Sequence, residues 1–214
     1  MGETHLLVLP TDFIACFPID YMHCICLGVV RKLLNSWLSG PLHVRLGNNL
    51  AKQISDHLVQ LRIYLPSKFN RKPRPLDELA RWKATEFRTF LLHLGPVVLK
   101  NKLALAVYEH FMLLHCAITI LVSDNHISKF IASASEMLNT FVTHCSKLYG
   151  QEYYVYNIHM LCHLTDDVQL FGCLDNFSAF PFENFLGQLK KMVKSPTNLY
   201  NRFTDNCTKL TYAQ

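Results

Sequence analysis

Apolar residues recur at steps of three and four along most of the chain, and this spacing is typical of one buried face of an α-helix. Met22, Val29, Leu33 and Trp37 follow it near the start of the sequence. Glycine or proline stands where several of these periodic stretches end. The pattern predicts helices at about residues 20–39, 49–64, 76–95, 103–122, 127–149, 158–171 and 182–193.

Few stretches follow the alternating pattern of a strand, and only residues 6–9 and 13–17 are candidates for short ones. The sequence therefore predicts a mainly α fold. A multi-helix domain at residues 19–195 is expected to follow a short N-terminal segment (1–18) and to precede a polar C-terminal tail (196–214).

The apolar stretch at residues 103–122 has about the length that a membrane-spanning helix needs. Glu109, His110 and His115 lie near its middle, where a charged group is costly in a bilayer. We therefore expect a buried core helix here, and no membrane partner.

The composition permits a large core and a weakly basic surface. Half of the 214 residues are hydrophobic, and the formal net charge is +5. This charge is compatible with a polyanionic partner but does not require one. The basic clusters at residues 68–74 and 190–194 are short, and the usual interpretation of each is a solvated loop or helix end.

Eight cysteines could form a disulfide framework in a secreted protein. The first residues, MGETHLLVLP, lack the basic region and the long apolar run of a signal peptide. Most of the cysteines lie within apolar helical patterns, where a free thiol packs as a small hydrophobic group. We therefore expect free thiols and an intracellular, reducing compartment.

Two pairs of residues have a spacing that suits a metal site. Asp20 and His23 are one helical turn apart, as are His159 and His163. Together they could supply the four ligands of a structural zinc site that joins the first helix to the sixth. For the first pair, the alternative is that Asp20 caps the helix and forms a hydrogen bond with His23. For the second pair, it is that one histidine lies in the core and the other on the surface. A third alternative is a metal ligand set that includes Cys24 or Cys26. No small-molecule site is evident.

Two further segments suggest contacts with nucleic acid. Trp82 lies among cations, and such a group can stack on a base while it neutralises phosphates. Glu183 occupies the first turn of a helix that continues into a basic segment. The alternative for Trp82 is a tryptophan buried in the core. The alternative for the Glu183 segment is an ordinary amphipathic helix with an acidic residue in its first turn. The candidate nucleic-acid-binding residues are Arg81, Trp82, Lys83, Arg88, Lys190, Lys191 and Lys194.

Four stretches occur in a characteristic order: IDYMHCICLGVVRKLL, LARWKATEFRTFLLHLGP, NIHMLCHLTDDVQLFG and NFSAFPFENFLGQLKKMV. This order resembles the C-terminal part of a cut-and-paste transposase of the CACTA superfamily, including its helical domain of unknown function. The resemblance covers residues 19 to about 195. It implies the helical insertion and C-terminal part of an RNase H-like protein, with the core sheet largely missing.

Such transposases bind two divalent metal ions through three acids, and Glu183 matches the third. Asp20 and His23 match the Asp/Cys-x-x-His motif that follows the second acid in several transposase superfamilies. By analogy with a related recombinase, His159 and His163 would complete a structural zinc site. These roles follow from the resemblance alone.

The expected first and second acids should lie before Asp20, where the chain offers only Glu3 and Asp12. We therefore expect a catalytically incomplete, transposase-derived protein or fragment with residual DNA binding. It would use magnesium or manganese only if another chain supplied the missing acids. A homo-oligomer, or a complex with another transposase-like chain, would fit this expectation. The alternative is a zinc-stabilised helical interaction module without a role in nucleic-acid binding. DNA binding would place the protein in the nucleus.

Overall fold

The structure is a computed structural model that describes residues 16–67, 69 and 71–192, with residues 191 and 192 described by their backbone alone. These ranges contain helices and no β-strand, which confirms the predicted mainly helical class. The helices are α1 (Tyr21–Val30, π-helical, then Arg31–Ser39), α2 (Asn48–Gln60), α3 (Ala84–Thr89, a π-helical Phe90–Leu94, then Gly95–Leu99), α4 (Leu105–Leu121), α5 (Asp124–Tyr149), α6 (Tyr156–His159, a 3-10 turn Met160–His163, then Leu164–Phe171) and α7 (Phe180–Met192). Further 3-10 turns are Leu61–Ile63, Leu76–Arg81 and Gln151–Tyr153.

Helix α1 begins at a side-chain cap and is buried along most of its first half. The Asp20 carboxylate accepts hydrogen bonds from the backbone N–H groups of Met22 and His23, which otherwise lack helical partners. Tyr21, Ile25 and Val29 are fully buried. Helix α1 packs against α3 and against the start of α6, so it lies at the centre of the core.

The third predicted helix begins and ends later than the sequence indicates. Residues Leu76–Arg81 form a 3-10 turn, and α3 starts at Ala84. The Gly95-Pro96 pair was expected to end the helix, but α3 continues to Leu99. A π turn precedes the pair, and it provides a place for a proline that cannot donate a backbone hydrogen bond. A Cβ on Gly95 would lie 2.5 Å from the Phe111 ring, so a glycine fits this close contact.

Helices α4 and α5 form a tightly packed pair joined by two residues, Val122 and Ser123. Helix α4 is a core helix, as predicted for residues 103–122: it buries Phe111, Leu114, Ile118 and Leu121, whereas Leu105 in its first turn is 70% exposed. No helix in the described ranges is both long enough and apolar enough to cross a membrane. Helix α5 buries Ala134, Leu138 and Phe141, whereas Phe130, one turn before Ala134 on the same apolar spacing, is 47% exposed.

Two compact units divide the chain, Met1–Phe177 and Ser178–Gln214. The boundary falls inside the domain predicted for residues 19–195. Helix α7 belongs to the second unit. The candidate strand at 6–9, most of the candidate at 13–17, the predicted tail and Lys194 lie outside the described residues.

Candidate functional site

Asp20 and His23 form a pair, as their spacing predicts. The His23 Nδ1 atom is 2.5 Å from Asp20 Oδ2, and the same carboxylate oxygen accepts the His23 backbone N–H at 2.9 Å. The His23 side chain is 57% exposed and that of Asp20 26%. Asp20 is thus a helix cap and the partner of a histidine at once, which corresponds to the hydrogen-bonded alternative for these residues.

The neighbouring cysteines are buried thiols that pack as part of the core. Cys24 and Cys26 are both buried, and burial raises the pKa of each thiol to about 12. Cys24 Sγ lies 3.6 Å from the backbone oxygen of Asn157, to which it donates. Without a metal ion these thiols therefore stay protonated at neutral pH. All cysteines in the described part of the chain are free, as expected.

His159 and His163 converge on a common point at the surface of α6. Their Nε2 atoms are 3.4 Å apart, and both side chains are exposed. This distance is long for a hydrogen bond. In a tetrahedral zinc site each nitrogen is about 2.05 Å from the ion, and two ligand nitrogens are then roughly 3.3 Å apart. The separation of the two Nε2 atoms is close to this value. The pair therefore has the geometry of two neighbouring zinc ligands.

Tyr154 orients one member of this pair. Its hydroxyl oxygen lies 3.0 Å from His159 Nδ1. In the tautomer that carries its proton on Nδ1, His159 donates to this oxygen and its Nε2 lone pair is left for a ligand. Tyr154 was not among the sequence candidates, although an aromatic residue five positions before the first histidine was visible there.

The predicted four-ligand site does not form one cluster. Within the residues that the structure describes, no group of three or more His, Cys, Asp and Glu side chains is close enough to hold one ion. Asp20–His23 and His159–His163 are therefore two separate pairs. Among the described residues the second pair alone has a nitrogen–nitrogen separation that suits two zinc ligands, and the zinc site stays a prediction.

Helices α1 and α6 are nevertheless in direct contact, as the predicted zinc link required. The backbone N–H of Ile19 donates to Asp167 Oδ2 at 2.7 Å. A Cβ on Gly28 would lie 2.4 Å from Asn157 Nδ2, so the two helices approach closely at a glycine. Backbone and side-chain contacts thus join these helices.

Trp82 is a core residue, and the expectation that it stacks on a base needs correction. Only 5% of it is exposed. Its Nε1–H donates to the Pro75 oxygen at 3.3 Å, and its ring packs against Phe87 and Phe90. Neither face is open to a base in this fold. Its neighbours Arg81 and Lys83 are exposed and remain candidates for contacts with phosphate.

Arg88 has a structural partner instead of a free surface position. Its Nη2 atom is 2.6 Å from Asp175 Oδ2, and its guanidinium lies over the Tyr21 ring at 5.8 Å. It therefore connects α3 with α1 and with the loop after α6. This neutralised cation is a poor candidate for binding phosphate.

Sequence reasoning missed the ion pair between Arg74 and Glu86. Arg74 donates from Nε and Nη2 to the two carboxylate oxygens of Glu86, at 2.7 Å each. Glu86 also accepts the Lys83 backbone N–H at 2.9 Å and is 4% exposed. Burial alone would raise the pKa of this carboxyl, but hydrogen bonds from Arg74 and Lys83 lower it below its usual range. The only sequence signal was a glutamate three residues into a helix.

The candidates on α7 belong to the second unit. Glu183 lies in the first turn, and its backbone N–H donates to the Ala179 oxygen. Glu183 and Lys190 are both exposed. The Lys191 side chain and Lys194 lie outside the described residues, so those two assignments stay predictions.

No family model matches the chain, and no curated protein or solved structure is similar enough to count as a match. The transposase resemblance therefore rests on the order of the sequence motifs.

Proposed function

We propose that the chain is a catalytically incomplete, transposase-derived protein that binds DNA. The supporting observation is that three of the four motif stretches contact one another, although they are far apart in sequence. Arg88 of the second stretch contacts Tyr21 of the first. Asn157 and Asp167 of the third stretch contact the first through Gly28 and Ile19. The motif residues thus have a shared packing role, which gives a physical reason for their occurrence together.

DNA is the proposed partner because exposed cations remain after the correction of Trp82 and Arg88. Arg81, Lys83 and Lys190 are exposed, and the chain carries a net charge of +5. Such residues bind phosphates without reading a base sequence. A DNA-binding role is consistent with a nuclear protein, and we propose the nucleus as its compartment.

The proposal excludes strand transfer by this chain alone. Glu183 is the one acid of the expected three that the resemblance assigns, and no acidic cluster surrounds it among the described residues. Two-metal chemistry on phosphates needs several carboxylates around two ions about 4 Å apart. Another copy or another transposase-like chain would have to supply the missing acids, with magnesium or manganese.

An equilibrium titration of a labelled duplex across a salt series tests the DNA partner. We expect an affinity that falls linearly on a logarithmic salt scale, because bound cations release counterions from the phosphates. Absence of binding even at the lowest salt concentration would refute this function.

The second candidate function is a zinc-stabilised interaction module. The 3.4 Å separation of His159 Nε2 and His163 Nε2 favours it. Two histidines leave two coordination positions, which a partner chain or water would fill. In this case the metal would join α6 to a second protein, which could be another copy of the chain.

Zinc titration of the purified chain tests the second function. We expect one zinc ion to bind the unaltered chain, and the His159→Ala, His163→Ala double variant to lose it. His126 and His144 are also exposed, and His126→Ala, His144→Ala is a matched control that removes the same number of histidines. Equal zinc binding by both double variants would refute the assignment of the ligands.

A further inference from the structure

A shallow polar groove runs along the exposed side of α1, and neither candidate site uses it. Its volume is about 700 Å³. Helix α1 forms its floor, and Asn157 at the start of α6 lines it as well. The charged and polar residues that line it include Arg31, Lys32, Asn35, Ser39 and Asn157.

The groove is positively charged. Arg31 and Lys32 both line it, and no carboxylate does. Lys32 is half-buried, and its Nζ atom lies 4.6 Å from the centre of the ring of Tyr153, a buried residue outside the groove lining. Among the described residues neither cation forms an ion pair, in contrast to Arg74 and Arg88. Their charge is therefore available to an anion.

Uncharged hydrogen-bonding groups accompany the two cations. Asn35 and Ser39 are exposed, and Asn157 is half-buried. Amide and hydroxyl groups of this kind contact phosphate oxygens at many nucleic-acid interfaces. Because Gly28 has no side chain, the Asn157 amide lies directly against the helix and close to the charged residues.

We propose that this groove, the α1 groove, binds the phosphodiester backbone of a nucleic acid. From Gly28 to Ser39 the helix extends roughly 16 Å, at about 1.5 Å per residue. This length and the open shape suit a row of phosphates rather than one enclosed phosphate group. A membrane surface is a poorer match, since interfacial helices insert apolar side chains and the arginine, lysine, asparagine and serine residues here are polar. The inference rests on the proposed DNA-binding function and names a surface for it.

Two double variants with equal loss of charge test the inference. Arg31→Gln, Lys32→Gln alters the α1 groove, and Arg62→Gln, Lys129→Gln alters exposed cations outside the groove and outside the candidate DNA contacts. Each lowers the net charge from +5 to +3, by two units. Fluorescence anisotropy with a labelled duplex is measured across a salt series. We expect the groove variant to reduce the slope of log affinity against log salt by about two, because each lost phosphate contact removes about 0.9.

A third variant, Asn35→Asp, places a carboxylate in the groove at an exposed position and so leaves the core intact. It should weaken DNA binding at least tenfold at low salt, through repulsion of phosphate. Circular dichroism of each variant checks that the helices remain.

The outcomes separate the groove from the wider function. An unaltered chain that binds no duplex at the lowest salt would overturn both. An unaltered chain that binds, with equal affinity and salt slope in the groove variant and in Asn35→Asp, would overturn the groove alone. Weaker binding to phosphatidylserine vesicles in the groove variant, with DNA affinity unchanged, would also overturn it.

Discussion

Arg74 and Glu86 form a paired ion contact in which two guanidinium nitrogens lie 2.7 Å from two carboxylate oxygens. The pair fixes the loop before α3 to the first turn of that helix. Arg74 also donates to the Arg81 backbone oxygen. The basic residues of this loop thus include one whose charge has a structural role.

Replacement of the buried member should destabilise the fold. In Glu86→Ala, Arg74 keeps a half-buried charge without its main partner, and the Lys83 N–H loses its acceptor. We expect a loss of about 2–3 kcal/mol in the free energy of unfolding, measured by urea denaturation. Glu78 also pairs with Arg74, at 3.5 Å, but its side chain is 39% exposed. Glu78→Ala should cost about 0.5 kcal/mol or less, and equal losses in the two variants would contradict the assigned role of Glu86.

His110 should make stability depend on pH. Burial lowers the pKa of His110 from 6.5 to about 4, and the nearby charge of His144 lowers it further. The hydrogen bond to the Phe141 oxygen opposes this shift but does not cancel it. The unfolded chain therefore takes up this proton at higher pH than the folded chain. The contribution of neutral His110 to the free energy of unfolding is fully present above pH 6.5. About 3 kcal/mol of it is lost as the pH falls from 6.5 toward 4.

His110→Gln provides the comparison for this pH effect. It removes the titrating ring and keeps a donor that can reach the Phe141 oxygen, which His110 Nε2 contacts at 2.8 Å. Denaturation free energies of both proteins between pH 7 and pH 4 give the difference. Parallel curves would show that His110 does not contribute.

Gly28 should be sensitive to a single methyl group. A Cβ there would lie 2.4 Å from Asn157 Nδ2 and 3.1 Å from the His23 backbone oxygen. We expect Gly28→Ala to lower the free energy of unfolding by about 1–2 kcal/mol. The same change in an Asn157→Ala background should cost much less, because the nearest clash is removed. An equal cost in both backgrounds would show that Asn157 is not the obstacle.

The fluorescence of the tryptophans should not change when DNA binds. Trp82 and Trp37, the two tryptophans of the chain, are 5% and 1% exposed. Iodide should therefore quench their fluorescence weakly, and added duplex should leave the emission unchanged. Quenching by DNA that disappears in Trp82→Phe would show that a base contacts the Trp82 ring after all.

The sequence pattern predicted the helices because most of them bury one face, and burial of one face requires a regular spacing of apolar residues. The ends of α4 and α6 lie within two residues of the prediction. The Gly95-Pro96 pair was misinterpreted because a helix can pass a proline when a π turn precedes it. Gly95 at this turn also packs closely against Phe111, a contact between two helices that local pattern does not encode.

The candidate site residues were predictable where their partners are close in sequence and not predictable where their partners are distant. Asp20–His23 and His159–His163 are each within one turn of a helix, so spacing alone brought their members together. The partners of Arg74 and Arg88 are 12 and 87 residues away in sequence. Spacing does not specify such pairs. The residues next to Trp82 in sequence are compatible with either a buried or an exposed tryptophan. Its burial follows from tertiary packing against Phe87 and Phe90.

We propose that this chain holds DNA without cutting it, and supercoiled plasmid tests both parts of the proposal in one measurement. The full chain is incubated with plasmid at low salt in the presence of manganese, and the products are separated on a gel before and after removal of protein. We expect slower migration before removal and intact supercoiled plasmid after it. Unretarded plasmid would contradict binding, and nicked circles that are absent with Glu183→Ala would contradict the catalytically incomplete state.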